Sequence, residues 1–468
     1  MKGCVKMSDN SHGQNRMGTA SMLPLIFSMA LPAMFSMLVQ ALYNVVDSYF
    51  VSQVSEKALA AVSLAFPIQN LQIAFAVGTA VGVTSLIARR LGQQRQEEAV
   101  SAAVHGVLLG IATSLLFAVY GAFFTTPFFQ MFESDPDIVR MGDQYISICC
   151  IFSFGSFVVV MIEKILQATG NMFWPMIFQL VGAVVNIVLD PIFIFGWFGL
   201  PAMGVTGAAV ATVGGQIISM IFSVIILNVR PHAIKISFRG FRPQWRTVKD
   251  IYAVGLSAIV MQAIGTVMTV AMNAILSGFS TAAYTVFGLY FKLQSFVFMP
   301  VFGLTQGLLP IMGFNYGAKN KKRLLSALRQ GCLIALVIMT AGMLAFLLLP
   351  TQLLGIFNAS PELLAIGVPA LRIICTCFVF AALGIVSSTL FQSMGKGVYS
   401  LIVSLMRQLV ILVPAAWLLA TATGQVNSVW WAFPIAETVS LAASVVFFLR
   451  LHRQEIQTLD KPREEQAG

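Results

Sequence analysis

The chain has 468 residues, 58% of them hydrophobic and only 10% charged, with a formal net charge of +10. A soluble surface alone needs roughly 25–35% charged residues, so an ordinary soluble protein is excluded. The excess of positive charge is dispersed over short loops, which argues against a nucleic-acid partner and for a membrane topology signal.

Apolar runs long enough to cross about 30 Å of hydrocarbon recur along the whole length. Twelve spans are expected, at 22–48, 58–88, 99–125, 139–163, 171–195, 203–229, 251–277, 283–312, 324–350, 362–388, 396–421 and 428–450. The polar start from Met1 to Met17 lacks a small-residue cleavage site, so span 1 is read as a retained helix and not as a removed signal.

Span 1 carries Gln40, Asn44 and Asp47 at i, i+4 and i+7, one face of a helix, with Met34 and Met37 close by. Ionisable groups inside a membrane are costly, so each is a functional hypothesis by default. The structural alternative for Asp47 is a cap at the outer end of its helix. His105 in span 3 has no partner that the sequence names and is read as core. Glu163, followed by Lys164, ends span 4 and is either a cavity residue or a solvated surface charge. Span 5 carries Asn186 and, one turn on, Asp190. Pro191 follows, and a proline inside a helix frees a carbonyl and bends the axis. Spans 1 and 5 run in the same direction and place Asp47 and Asp190 at comparable depth, where the two form a coupled carboxylate pair; backbone pairing is the structural alternative for Asp190.

A connector from Arg230 to Trp245 is basic, contains two prolines and has no spanning apolar run; Phe238, Phe241 and Trp245 are expected at the membrane surface. Span 7 then presents Gln262, Thr266, Thr269 and Asn273 on one face, flanked by Met261 and Met268. Lys292, Arg372 and Arg407 lie within later spans and are read as structural cations, and Glu437 in span 12 as an isolated, hydrogen-bonded carboxyl. The four histidines are scattered, and the six cysteines show no ligand spacing. Neither an enzyme constellation nor a resident cofactor is therefore expected.

Most of the 28 basic residues fall in loops on one side, from Lys2, Lys6 and Arg16 through the connector to Arg450, Arg453, Lys461 and Arg463; Lys57 and Arg140 alone lie in the opposite loops. The positive-inside rule then places both termini in the cytoplasm. The chain also repeats itself at an offset of 225 residues: Gly78, Gly82, Gly92, Gly106, Gly142 and Gly170 fall on Gly303, Gly307, Gly317, Gly331, Gly367 and Gly395. Gln69/Gln294, Phe132/Phe357, Pro136/Pro361 and Gln167/Gln392 keep the register. Two copies in one orientation each need an even number of crossings, so the expected fold is all-α and integral to the membrane. Its twelve helices form two six-helix lobes related by an axis along the membrane normal. The boundaries are a cytoplasmic tail at 1–20, a first lobe at 21–230, a linker at 231–247, a second lobe at 248–452 and a tail at 453–468. The offset puts Met272 on Asp47 and Ala415 on Asp190, so the carboxylates belong to the first lobe alone.

Several segments resemble the multidrug and toxic compound extrusion (MATE) transporters: Leu31-Pro32, Tyr43-Asn44-Val45-Val46-Asp47, Gln167-Ala168-Thr169-Gly170-Asn171, Asn186 through Asp190-Pro191, Gly207 to Thr212, Gly303 to Pro310 and Gly313 to Ala318. The resemblance spans roughly 20–450 and is nearest a bacterial MepA-like or DinF-like branch. It implies a secondary active antiporter in the bacterial plasma membrane, exporting organic cations and amphiphilic drugs in exchange for H+ or Na+ by rocking of the lobes. Carried over, Asp47, Asn186, Asp190 and Thr212 form the cation-coupling set, with oxygens suited to Na+, and Pro32 is the bending point of helix 1. Glu163 matches an acidic position of the branch. Gln40, Asn44, Met37, Glu163, Gln262, Thr266 and Asn273 are the expected substrate cavity. Partners are small amphiphilic molecules and membrane lipids, with a monomeric chain and no nucleic acid. The competing expectation is a lipid-linked precursor flippase of the same two-lobe architecture, which would favour a cationic cleft.

Overall fold

The computed structural model describes residues 16–236, 238, 241–357 and 359–459, without the side chain of Val45. Most of the two terminal tails, with Cys4 and His12, and Arg239 of the connector lie outside these residues. The described chain is helical throughout and contains no strand, as a lipid environment demands, because a helix satisfies its backbone polar groups within one segment. Eleven helices are long and apolar enough to cross a membrane, and a bent pair makes twelve. They are α1 (Met22–Ser52), α2 (Glu56–Gly92), α3 (Gln96–Phe123), α4 (Pro136–Ile151 with Phe154–Ala168), α5 (Phe173–Phe195), α6 (Val205–Val229), α7 (Trp245–Ser277), α8 (Thr281–Gly317), α9 (Lys321–Leu348), α10 (Pro361–Ser393), α11 (Gly397–Thr423) and α12 (Val426–Ile456).

Span 4, read from its sequence as one apolar run, is broken by 47° between Ile151 and Phe154. Two serines at the break divert its hydrogen bonds: the Ser153 hydroxyl donates to the Ser114 carbonyl of α3 at 3.3 Å, and the Ser156 hydroxyl donates to the Ser153 carbonyl at 2.8 Å. Side-chain hydroxyls entering the backbone ladder kink helices. At the same place in the second copy, α10 tightens to a 3-10 turn over Cys375–Cys377. Of the expected surface aromatics, Phe238 and Trp245 are exposed, whereas Phe241 packs edge-on against the His105 ring at 4.7 Å.

The two copies repeat their contacts as well as their residues. Gly106 lies on Val83 and Gly331 on Leu308; Gly142 lies on Phe129 and Gly367 on Leu354. Each second-copy partner is the first-copy partner displaced by the same 225 residues. The seam between lobes obeys the same symmetry. Gly78 faces Ile259 and Gly303 faces Met34; Gly82 lies against Gly255 and Gly307 against Ala30; Gly92 meets the Phe314 carbonyl and Gly317 that of Arg89. A Cβ at any of these six positions would crowd the opposing helix, so glycine is what lets α2 approach α7, α8 approach α1, and α2 and α8 meet at their ends, backbone to backbone. The inner seam contacts, Gly82, Gly92, Gly307 and Gly317, lie toward the basic face, the one at which the described chain begins and ends and from which the connector leaves.

Neither leading helix stays within its own lobe. The inner half of α1 (Met22, Leu25, Ile26, Met29, Ala30) is part of the second lobe's apolar core. Its outer end returns to the first lobe, where Val51 is buried and Phe50 packs edge-on to Phe195 of α5. In mirror fashion Ile251 of α7 sits in a first-lobe core cluster with Val83 and Ile87, and further along α7 packs on α11.

Candidate cation and substrate site

The polar residues of the first lobe converge where α1, α4, α5 and α6 meet. Asp190 is fully buried and Asn186 is 2% exposed. Asn186 Nδ2 donates to Thr212 Oγ1 of α6 at 3.3 Å, and the Tyr43 hydroxyl of α1 is in hydrogen-bonding contact with the same threonine. Asp47, one turn from Tyr43, lies within electrostatic reach of Asp190. Behind them Gln69 Nε2 of α2 donates to the Tyr145 hydroxyl of α4 at 3.0 Å. Both carboxylate oxygens of Asp190, Oδ1 of Asn186 and Oδ1 of Asp47 are buried with no hydrogen-bond donor. Buried acceptors without donors are expensive; those of Asn186 and Asp190, one turn apart on α5, with that of Asp47 on the neighbouring α1, are hard oxygens that a proton or an alkali cation would satisfy. Pro191 lies inside α5 and, lacking an N–H, leaves the Ile187 carbonyl without its helical donor. Asp47 lies inside α1, whose C-cap is Gln53, so the helix-capping alternative fails; Asp190 makes no backbone bond either.

The residues expected to line a cavity are placed differently from one another. The Met37 sulfur accepts from Gln306 Nε2 of α8 at 3.3 Å, so this face of α1 points at the second lobe. Gln40 and Asn44 continue the same face outward and are exposed. Thr266 accepts from Asn70 Nδ2 at 2.6 Å across the lobes, with Gln262 and Asn273 exposed on either side of it. Glu163 is 3% exposed and accepts from Gln179 Nε2 of α5 at 3.3 Å. It is apart from the Asp47–Asp190 centre and is buried, not solvated.

Lys164 is buried as well. Its Nζ donates to Gln167 at 2.9 Å and to Gln306 at 2.8 Å, reaching from α4 across to the second lobe. Other inter-lobe ties are Ser85 Oγ to the Gln392 carbonyl at 2.5 Å and the Arg90–Asp250 ion pair at 3.2 Å. These bonds all lie at or inward of the Asn70–Thr266 level. The molecule is therefore closed toward its basic face, and its polar faces on α1 and α7 continue outward from the closure.

His105 is not a partnerless core residue. Its Nδ1 meets the Ser101 carbonyl at 2.7 Å, and its Nε2 accepts the Gln244 backbone N–H of the connector at 2.9 Å. Sequence reasoning also passed over Tyr43, Tyr145 and the Lys164–Gln306 bridge. The four-residue spacing of Tyr43 and Asp47 was a legible signal, whereas contacts between lobes left none.

A family model described as MatE matches residues 32–192 and 257–418, one match in each copy and more than half of the chain in all. The chain belongs to the MatE family. The two matches start 225 residues apart, at the offset of the glycine repeat. MatE proteins are membrane transporters and not an enzyme family. Among relatives, the multidrug export protein MepA of Staphylococcus aureus is 22% identical over 418 residues, covering 88% of this chain and 91% of MepA. A MOP superfamily transporter from Pyrococcus furiosus is similar at 28% identity and a TM-score of 0.89, covering 97% of this chain and all of that one. A multidrug resistance MATE family transporter described in an outward-facing conformation matches with a TM-score of 0.88, again at 28% identity and 97% coverage of this chain. The chain is thus a multi-pass membrane protein of the multidrug efflux class.

Proposed function

We propose that this protein is a secondary active antiporter that exports amphiphilic and cationic organic molecules in exchange for H+ or Na+. It would act as a monomer in the bacterial plasma membrane, with its basic face in the cytoplasm. The observation that carries the reading is the group of buried acceptors without donors at Asp47, Asn186 and Asp190, in a molecule whose lobes are tied together toward its basic face. With that face inside, cation-seeking groups would be reached from the exterior.

In the proposed cycle a cation enters from outside and is held by Asp190 and Asp47, with Asn186 and Thr212 completing the oxygen set. Two carboxylates in a poorly hydrated crevice raise each other's affinity for positive charge. Neutralising them removes the attraction for a cationic drug on the Gln40–Asn44 face and permits α1 to bend at Pro32. Because α1 is rooted in the second lobe, a change in its shape acts directly on the closure at Gln306. Only the difference in cation and drug affinity between the two lobe arrangements can drive the exchange. For a neutral drug the energy suffices: one proton entering supplies about 2.3 kcal/mol per 100 mV and about 1.4 kcal/mol per pH unit, while a hundredfold drug gradient costs about 2.8 kcal/mol. For a monovalent cationic drug the voltage terms cancel in one-for-one exchange, so a roughly hundredfold H+ or Na+ gradient, or a second coupling ion, must drive export.

The test is ethidium efflux from proteoliposomes under an imposed pH gradient and, separately, an imposed Na+ gradient. Movement against the ethidium gradient in either case supports antiport and identifies the ion. Ethidium movement that ignores both gradients would refute it.

A further inference from the structure

The first-lobe cation centre lies between α5 and α6, where Asn186 meets Thr212. By the repeat, the equivalent place in the second lobe lies between α11 and α12. For α6 and α12 the register keeps six positions in phase: Val205, Gly207, Ala208, Ala211, Gly215 and Ser219 are buried, and so are Trp430, Ala432, Phe433, Ala436, Ser440 and Ser444. Glu437 is therefore the counterpart of Thr212. For α5 and α11 the register slips. Pro175 and Phe178 match buried Ser400 and Val403, but Asn186 and Asp190 match buried Leu412 and Ala416, one residue later than the repeat requires. The extra residue is taken up by a π-helical segment, Met406–Leu412, and such bulges accompany functional sites in helices. Arg407 lies in that segment, and its Nη1 reaches Glu437 Oε1 at 3.2 Å. Glu437 is therefore paired, not isolated, and Arg407 neither snorkels nor holds a helix end.

The two places differ in what meets their carboxylates. In the first lobe, the acceptor oxygens are carboxylates and an amide with no donor supplied by the protein. Here one carboxylate, 14% exposed, is satisfied by a guanidinium on the neighbouring helix. The remaining titratable groups around the pair, Tyr290 from α8 and Cys375 and Cys377 from α10, bring no further acid or base that is charged at neutral pH.

We propose that Arg407 is a tethered cation: in the second lobe it fills, permanently, the place that the exchanged cation fills in the first. This rests on the reading of Asp47 and Asp190 as the cation site. It implies that coupling is confined to the first lobe because the second lobe's site is closed by its own side chain, and that Glu437 would take up a free cation if the guanidinium were removed.

The experiment measures 22Na+ binding and proton uptake by the purified protein in lipid nanodiscs, for the full chain and for variants. Arg407→Met is expected to add one cation, Na+ or H+, per protein. That addition should persist when Asp47→Asn and Asp190→Asn are also present and should vanish in Arg407→Met/Glu437→Gln. A folded Arg407→Met protein that binds no additional cation, or an addition that survives Glu437→Gln, overturns the proposal. Should Arg407→Met not fold, Arg407→Gln, which keeps a hydrogen bond to Glu437, is scored by the same criteria. The failure of the underlying reading looks different: the unmodified chain would then show no cation binding that depends on Asp47 or Asp190, whatever the Arg407 variants do.

Discussion

At the scale of single residues, Asp190 and Asp47 differ from every other carboxylate of the membrane region in having buried oxygens and no donor. Glu163 has Gln179 and Glu437 has Arg407. Asp47→Asn and Asp190→Asn should each reduce gradient-driven ethidium efflux at least tenfold, to the passive leak, while expression and thermal stability are retained; efflux assays on matched proteoliposomes check this. Tyr43→Phe removes one neutral hydrogen bond, worth about 1 kcal/mol, and should shift the half-saturating H+ or Na+ concentration about fivefold while leaving the maximal rate near its original value. Thr212→Val removes the contacts to both Asn186 and Tyr43 and should shift it further in the same direction. The carboxylates and the amide beside them were legible in the sequence because ionisable groups in apolar runs stand out. Tyr145 was not, since a tyrosine among thirty-seven phenylalanines reads as packing until its hydroxyl is seen to have a partner; Tyr43 left only its four-residue spacing from Asp47.

At the scale of helices, twelve spans were legible because the hydrocarbon thickness sets their length, and the repeat because glycine is intolerant of substitution where backbones touch. The breaks were not. Ser153 at the break of α4 bonds to another helix, and the π segment of α11 adds a residue without disturbing hydrophobicity. The bridge from Lys164 to Gln306 likewise leaves no trace in either segment alone. It joins α4 to α8 at 2.8 Å beside the glycine seam. Lys164→Met would remove two charge-assisted hydrogen bonds, each worth about 1.5–3 kcal/mol at most. The ratio of inner-closed to inner-open molecules should fall roughly tenfold or more. Thiol labelling of a single cysteine placed at Gln392 should then accelerate from the basic side.

For the whole molecule, exchange requires the closure between lobes to open and re-form. Asn70 and Thr266 approach to 2.6 Å at its outer limit. A disulfide between Asn70→Cys and Thr266→Cys should stop transport and be reversed by a reductant, with efflux before and after dithiothreitol as the measurement. A Gly82→Leu protein should be unable to seat α2 on α7, and its efflux should fall to background even though both lobes are intact. The same seam has a bearing on ancestry and assembly. Since α1 is rooted in the far lobe and α7 in the near one, the halves are clasped and not merely adjacent. A forebear holding one copy would have existed as two chains, each lending its opening helix to its twin. Severing the connector should accordingly leave a working transporter when both fragments are made in one cell, and neither fragment alone should accumulate.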